Sequence, residues 1–433
     1  MTPQSTFMVV APVADGQEAG LRALLASMNA LPGMADPENE LVPFGRFERL
    51  HVARFLVLEA PTADDIVVYD IPPLPWPTSL VFLGDCDGPA HAFLAEIVER
   101  AGPGLRRIFA FCRDFAADED LLDWMRRHER RPSASYVNWI GRTVRQVHEE
   151  QALRAALVDH LQNGGVAQDG EPPSAVHQRL GRFVESEIEA GRLHLTPPEP
   201  TPWGWKIRNA LHAVWVPVAL LALAPFLIVA SPILAFQLRR REKSDPRFAP
   251  HPGHEHLHRK AELEDHDVSN QFTVFGDLKP GRFRLWTTTF LLWLLDYSAR
   301  HVYRRGYLTR VRTIHFARWV FLDDRKRLFF ASNYDGSLES YMDDFINKVS
   351  WGINLVFSNG VGYPSTDWLI KRGARDEQAY KRVLHRHQLP TDVWYKAYPG
   401  LTAVDLERNT RIRHGMERRS LTDTEAREWL RLL

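Results

Sequence analysis

The chain has 433 residues, of which 45% are hydrophobic and 25% charged, with Lys+Arg and Asp+Glu both at 54. This is the composition of an ordinary globular protein of two or three domains, and a net charge of zero without a single-sign tail argues against a nucleic-acid partner. Two cysteines, Cys86 and Cys112, are too few for a disulfide framework and suit a reducing compartment, and no basic region precedes an apolar run at the N-terminus, so no secretory signal is expected.

In chain order, Phe7–Val13 reads as a strand, and Gly16 to Asn29 as a helix with Leu21, Leu24, Leu25 and Met28 on one face. Phe47–Leu58 is a second strand, whose alternation puts His51, Ala53 and Phe55 on one face and Val52, Arg54 and Leu56 on the other. Residues 60–78, rich in Pro and Asp, read as a loop. Ser79–Leu83 is a third strand, Asp87-Gly88 a turn, His91 to Ala101 a helix, and Leu105–Cys112 a fourth strand. The order β-α-β-β-α-β is that of a ferredoxin-like unit.

The same order returns from residue 270. It comprises strands at Phe272–Leu278, Val311–Leu322, Arg327–Ala331 and Ile353–Ser358, with helices at Trp286 to Tyr303 and Ser337 to Val349. Arg49-Leu-His51-Val-Ala-Arg54-Phe matches Thr313-Ile-His315-Phe-Ala-Arg318-Trp, and Asp87-Gly88 matches Asp335-Gly336. A tail is repeated as well: Tyr136-x-x-Trp139-x-Gly141-x-Thr143 answers Tyr395-x-x-Tyr398-x-Gly400-x-Thr402. Matches in one order along the chain indicate an internal duplication. The fold class expected is α+β: two tandem ferredoxin-like repeats packed as a pseudo-two-fold α+β barrel, with a ligand cavity between the sheets.

Residues 1–165 make the first repeat with its tail, 166–210 a linker, 211–238 a membrane-associated hydrophobic hairpin, 239–268 a His/acid-rich linker, and 269–433 the second repeat with its tail. Leu211 to Phe236 carries no acidic or basic side chain, is flanked by Arg208 and by Arg239-Arg-Arg-Glu-Lys243, and has Trp203, Trp205 and Trp215 at one end. One helix of that length would cross a bilayer. A single crossing would separate two halves that close on each other, and Pro217, Pro225 and Pro232 interrupt the run. The expectation is a re-entrant or monotopic hairpin folded near Pro225, with the basic stretch among anionic headgroups.

His51 and His315 stand at the same place in their repeats, each three residues before an arginine. Either His315 or Arg318 lines the cavity as an acid/base group or cofactor ligand, or the pairs bond to the Asp-Gly turns and fix the seam. Retention in both copies favours the seam. His254, His256, His258 and Glu264 form a candidate metal set, and the bland alternative is a solvated linker.

Gly84-Asp-Cys-Asp87-Gly88 resembles the G-x-x-D-G motif of the dye-decolorizing peroxidases, which are also tandem ferredoxin-like proteins, and the inferred fold is similar to that of chlorite dismutases. The second copy, Ser332-Asn-Tyr-Asp335-Gly336, lacks the first glycine. The resemblance implies haem, with Asp87 as distal acid/base, Arg54 or Arg318 as distal arginine and Asp335 as the repeated carboxylate. His266, His315 or His51 would hold the iron. Together with the apolar segment beside the cavity, it leads to the expectation of a membrane-associated, haem-dependent, peroxidase-like oxidoreductase acting on a hydrophobic substrate drawn from the bilayer, with the cytoplasmic face of the inner membrane as the expected location. The alternatives are a non-catalytic membrane-anchored lipid-binding or scaffolding protein, and a metalloenzyme using a transition metal. Membrane lipid and a hydrophobic small molecule are the expected partners, with a homo-oligomer open.

Overall fold

The computed structural model describes residues 1–59, 63–72, 75–163, 171–264, 266–303, 306, 308 and 310–433. The first half runs β1 (Gln4–Pro12), α1 (Glu18–Ala26), β2 (Asn29–Leu31), β3 (Gly33–Ala35), β4 (Leu50–Leu58), α2 (Ala63–Val68), β5 (Ser79–Asp87), α3 (Ala90–Phe109), α4 (Leu121–His128), β6 (Ala134–Val137) and α5 (Val144–Gln162). Three helices follow: α6 (Pro173–Glu189), α7 (Trp203–Ser244) and α8 (His254–Leu263). The second half runs β7 (Ser269–Asp277), α9 (Arg282–His301), β8 (Ile314–Leu322), β9 (Arg327–Asp335) and α10 (Leu338–Phe357). It continues with a small ribbon of β10 (Thr366–Asp367) and β11 (Lys371–Arg372), then α11 (Glu377–His387), β12 (Val393–Lys396), α12 (Ala403–Met416) and α13 (Asp423–Leu430).

The architecture is α+β, with one sheet ordered β1-β5-β4-β12-β3-β2 and another ordered β6-β8-β9-β7. The repeated tails cross over. Strand β12 pairs antiparallel with β4 of the first half, and β6 pairs antiparallel with β8 of the second, Val393 opposite Phe55 and Ala134 opposite Trp319. The tail motif has a local reason. Its tyrosine lies in the exchanged strand, its glycine takes a positive φ (Gly141 at 95°, Gly400 at 76°), and its threonine caps the next helix.

Five expectations are corrected. First, Leu105–Cys112 and Ile353–Ser358 are not strands, because α3 and α10 continue through kinks at Ala101 and Val349 to Phe109 and Phe357. Leu105, Ile108 and Phe109, like Ile353, Val356 and Phe357, are spaced i, i+3, i+4, a helical period. Second, the sheets do not close into a barrel. They pack face to face, with Met8, Leu56 and Leu83 of one against Phe275, Val320 and Phe329 of the other, so side chains fill the space expected to be a cavity. Third, there is no hairpin at Pro225. Helix α7 is continuous over 42 residues through all three prolines. Each proline removes one N–H, and the flanking helical bonds carry the chain past it, as happens in apolar helices. Fourth, part of the linker is packed. Leu180 and Val184 of α6 join Leu153 and Leu157 of α5, Ile412 of α12 and Trp429 of α13 in a helical core. Fifth, part of the stretch read as a loop, 63–68, is helix α2; the rest of 60–78 includes residues outside those described.

Candidate functional site

The residues expected to carry chemistry meet between the sheets. In both β4 and β8 a β-bulge falls at the histidine, with the register shifting between Leu50 and Val52 and between Ile314 and Phe316. The extra residue breaks strict alternation, so His51 turns to the same side as Arg54 instead of the opposite one. The His51 ring lies 5.3 Å from that of Phe316 in the other sheet.

Arg54 donates from the first sheet to the carbonyl of Phe272 (3.3 Å), to Thr273 Oγ1 (2.9 Å), to the carbonyl of Ser332 (2.9 Å) and to Asn333 Oδ1. Arg318 answers from the second sheet, donating to the carbonyls of Phe7 (2.9 Å) and Gly84 (3.2 Å) and pairing with Asp85. Both side chains are buried. Burial, reinforced by nearby Arg318, lowers the Arg54 guanidinium to about 9. Burial likewise lowers Arg318 and raises the Asp85 carboxyl, so each partner is pushed toward its neutral form and desolvation outweighs attraction.

The histidines repeat the pattern. His51 Nε2 lies 3.0 Å from Asp87 Oδ1, and Asp87 Oδ2 accepts the Val144 N–H (2.9 Å) at the start of α5. His315 Nε2 lies 2.6 Å from Asp335 Oδ1, and Asp335 Oδ2 accepts the Ala403 N–H (2.7 Å) at the start of α12. Burial raises the Asp335 carboxyl, but His315, Ser269 and the Ala403 N–H outweigh it and hold it below the usual value. Each His–Asp pair thus ties a strand to a helix N-terminus, where the helix dipole favours the carboxylate.

The structure brings Asp87, Arg54, His315, Arg318, Asp335 and His51 together, but as a packed polar seam. His51 has both ring nitrogens engaged, the second 3.1 Å from the Tyr398 hydroxyl. His266 is exposed and lies outside the seam, its Nε2 3.1 Å from the Glu262 carbonyl. These residues do not fit a haem: a macrocycle on His51 or His315 would have to displace the two arginine clamps.

The metal candidates do not converge either. They sit on or after helix α8, so His256 points away from His254 and His258. His256 Nε2 meets the His385 carbonyl at 2.9 Å, His258 approaches Glu262 at 3.3 Å, and Glu264 accepts from Gln388 at 2.8 Å. Among the described residues no group of three or more His, Cys, Asp or Glu side chains could hold one ion. Asp265 of this tract lies outside the described residues.

The sequence reading missed a different site, on the outer face of the second sheet. A narrow chamber there has about 880 Å³ of atom-free space, its open side included. Phe272, Val274 and Phe330 of the sheet, Ile353 of α10 and Val383 of α11 line it. A groove between α9 and α10, about 900 Å³ on the same measure, is lined by Leu291, Leu294, Val349 and Trp351. Leu308, Trp319, Phe345, Ile353 and Phe357 belong to both walls, so chamber and groove adjoin. The lining of the chamber also carries Asp277 and His387, and His387 lies 2.6 Å from Asp65, a buried residue that α2 brings across from the first half. Burial raises the Asp65 carboxyl, but His387 and Arg386 outweigh it and hold it below the usual value.

Helix α7 lies beside this site. It is long and apolar enough to cross a membrane. Leu221, Phe226, Ile228 and Val229 are exposed, each by at least 69%. Its two ends are tied to opposite ends of α9. His212 meets His301 at 2.9 Å, while Arg284 donates to the Arg241 carbonyl (3.1 Å) and pairs with Asp245 (2.5 Å).

No family model matches the chain, and neither curated proteins nor solved structures give a match.

Proposed function

We propose that this is a monotopic membrane protein that takes an acyl chain, or an apolar molecule of similar girth, from the bilayer into the chamber of its second half. The observation that carries this reading is the adjoining chamber and groove, almost wholly apolar, next to a helix whose apolar side chains face outward. A contiguous exposed apolar surface of this kind marks a membrane or partner contact, and concave apolar pockets are where small ligands bind. The non-catalytic lipid-binding reading of the sequence therefore takes precedence over the haem peroxidase.

Helix α7 lies along the membrane surface rather than through it. Residues 212 to 241 span about 44 Å at 1.5 Å per residue, more than a hydrocarbon core of about 30 Å. Both ends hold α9, whose Leu292 and Ala299 are buried in the body. Crossing would drag α9 and the sheet beneath it into lipid. The reciprocal arginine clamps and exchanged tails further support an ancestral duplication of a ferredoxin-like unit, its halves related by a pseudo-two-fold axis.

Two measurements test the reading. Organic extracts of the purified protein, analysed by mass spectrometry, should contain lipid, and Gly352→Trp should remove it. Extracts without lipid would sink the proposal. Single cysteines introduced at Glu199 and Arg247 should both react with an impermeant maleimide from the same side of the membrane. Labelling from opposite sides would mean that α7 crosses.

A further inference from the structure

Beside the groove stands a short strained hairpin. Its tip, Trp368-Leu369, has φ of 58° and 60°, and Arg372 has φ of 57°, a region side chains other than glycine rarely adopt. Two buried side chains hold it there. Glu242 of α7 accepts from Thr366 Oγ1 (3.0 Å) and from the N–H groups of Trp368 (2.9 Å) and Leu369 (2.8 Å). Asn354 of α10 donates to the carbonyls of Ile370 (3.2 Å) and Arg372 (2.9 Å). Strain held in place by dedicated partners is common where a surface has a task.

The hairpin presents Trp368 and Ile370 to solvent and, beside them, Lys371, Arg372 and Arg375. These three cations border a shallow recess with Trp351, Asp367 and Asp376. Both carboxylates already have partners. Asp367 pairs with Arg239 at 2.9 Å and lies only 3.9 Å from Arg372, and Asp376 caps α11 by accepting the Ala379 N–H at 3.3 Å. Among the described residues, neither Lys371 nor Arg375 has an ion-pair partner. Trp351 is a wall of this recess and also of the apolar groove.

We propose that groove and recess together bind one phospholipid with an anionic headgroup, its acyl chain between α9 and α10 and its phosphate against Lys371, Arg372 and Arg375. The inference rests on the acyl-binding reading above and adds the class of lipid. Charge complementarity selects the occupant, because a neutral apolar molecule would add no counter-charge for Lys371 and Arg375, whereas Arg372 already has Asp367 within 3.9 Å. Continuity with α7 sets its source, since Glu242 joins the hairpin to the helix held at the bilayer surface.

The test incubates full-length protein with vesicles of equimolar phosphatidylglycerol and phosphatidylcholine, re-isolates it and quantifies bound lipid by mass spectrometry. Wild type should carry phosphatidylglycerol in about tenfold excess, a preference of about 1.4 kcal/mol. The doubly substituted Lys371→Gln, Arg375→Gln protein should carry as much lipid in total, with a ratio near one. Its melting temperature should match wild type, since both side chains are exposed. Bound lipid that mirrors the supply, or a preference that survives the double substitution, overturns the headgroup site and leaves acyl binding standing. No bound lipid of either class overturns both.

Discussion

The two outer sheet faces are built alike and filled differently. Strand β5 and helix α3 recur as β9 and α10 at one constant offset, kinks included, with Ala101 answered by Val349. On that register Gly104 corresponds to Gly352. A Cβ on Gly104 would stand 1.8 Å from the Leu41 carbonyl oxygen, whereas one on Gly352 would meet nothing within 4 Å. The first half gains its filling from the segment between α1 and β4, where Leu41, Val42, Phe44 and Phe47 are all buried in the core. In the second half no described residue fills the corresponding space, which forms the groove. The same strand-and-helix arrangement is therefore closed in one half and open in the other.

The largest effect should come from the seam that both halves share. Arg318→Ala strands the Asp85 carboxylate in a buried site, and loss of one partner from such a pair costs about 3–5 kcal/mol. Arg54→Ala, opposite Asn333 rather than a carboxylate, should cost less, about 1–3 kcal/mol from unsatisfied acceptors. Urea unfolding of the two variants checks the order, and equal losses would contradict the role given to Asp85.

The glycine pair tests the comparison directly. Gly104→Ala overpacks the first half and should lose about 1–3 kcal/mol. Gly352→Ala should lose nothing and can gain up to about 1 kcal/mol from helix propensity. Thermal melts of both proteins read this out, and a destabilised Gly352→Ala would mean the groove is not open. In the same series, replacing Phe226 and Val229 of α7 by Asp should leave the melt unchanged and reduce co-sedimentation with vesicles.

A smaller, pH-dependent effect separates the halves at their edges. Lys279, two residues past the end of β7, corresponds to Ala14, two residues past the end of β1; their N–H groups donate to the carbonyls of Asn359 and Phe111 in matching fashion. Lys279 meets Asp245 at the end of α7 at 2.9 Å. Burial outweighs Asp245 and lowers the ammonium to about 8 from the ordinary lysine value of 10.5. Between these values the unfolded chain binds more protons than the folded one, so this group makes stability rise with pH from about 8 to about 10.5. Lys279→Met should flatten that rise in melts taken across the window. An unchanged slope would show that Lys279 does not titrate there.

Much of the fold could be read from the residues. The duplicated His-x-Ala-Arg run, the Asp-Gly turns and the Tyr-to-Thr tail each have a local cause, in a bulge, a left-handed glycine or a helix cap. The role of His51 and His315 in the seam was also legible, since a feature kept in both copies points to packing. The groove was not. Its walls are Leu, Val, Trp and Phe at ordinary helical spacing, and nothing in Gly352 itself distinguishes it from Gly104. The exchange of β6 and β12 was equally hidden, because a short strand carries no mark of the sheet it will join.

The sequence alone determined the repetition, the long apolar segment and the chemistry of each turn, because these depend on neighbours within a few residues. Only the tertiary structure decided that the sheets press together instead of enclosing a cavity, that α7 runs unbroken with both ends tied to α9, and that the apolar groove lies in the second half. Those outcomes depend on which distant side chains arrive to fill a volume, and volume is a property of the assembled chain.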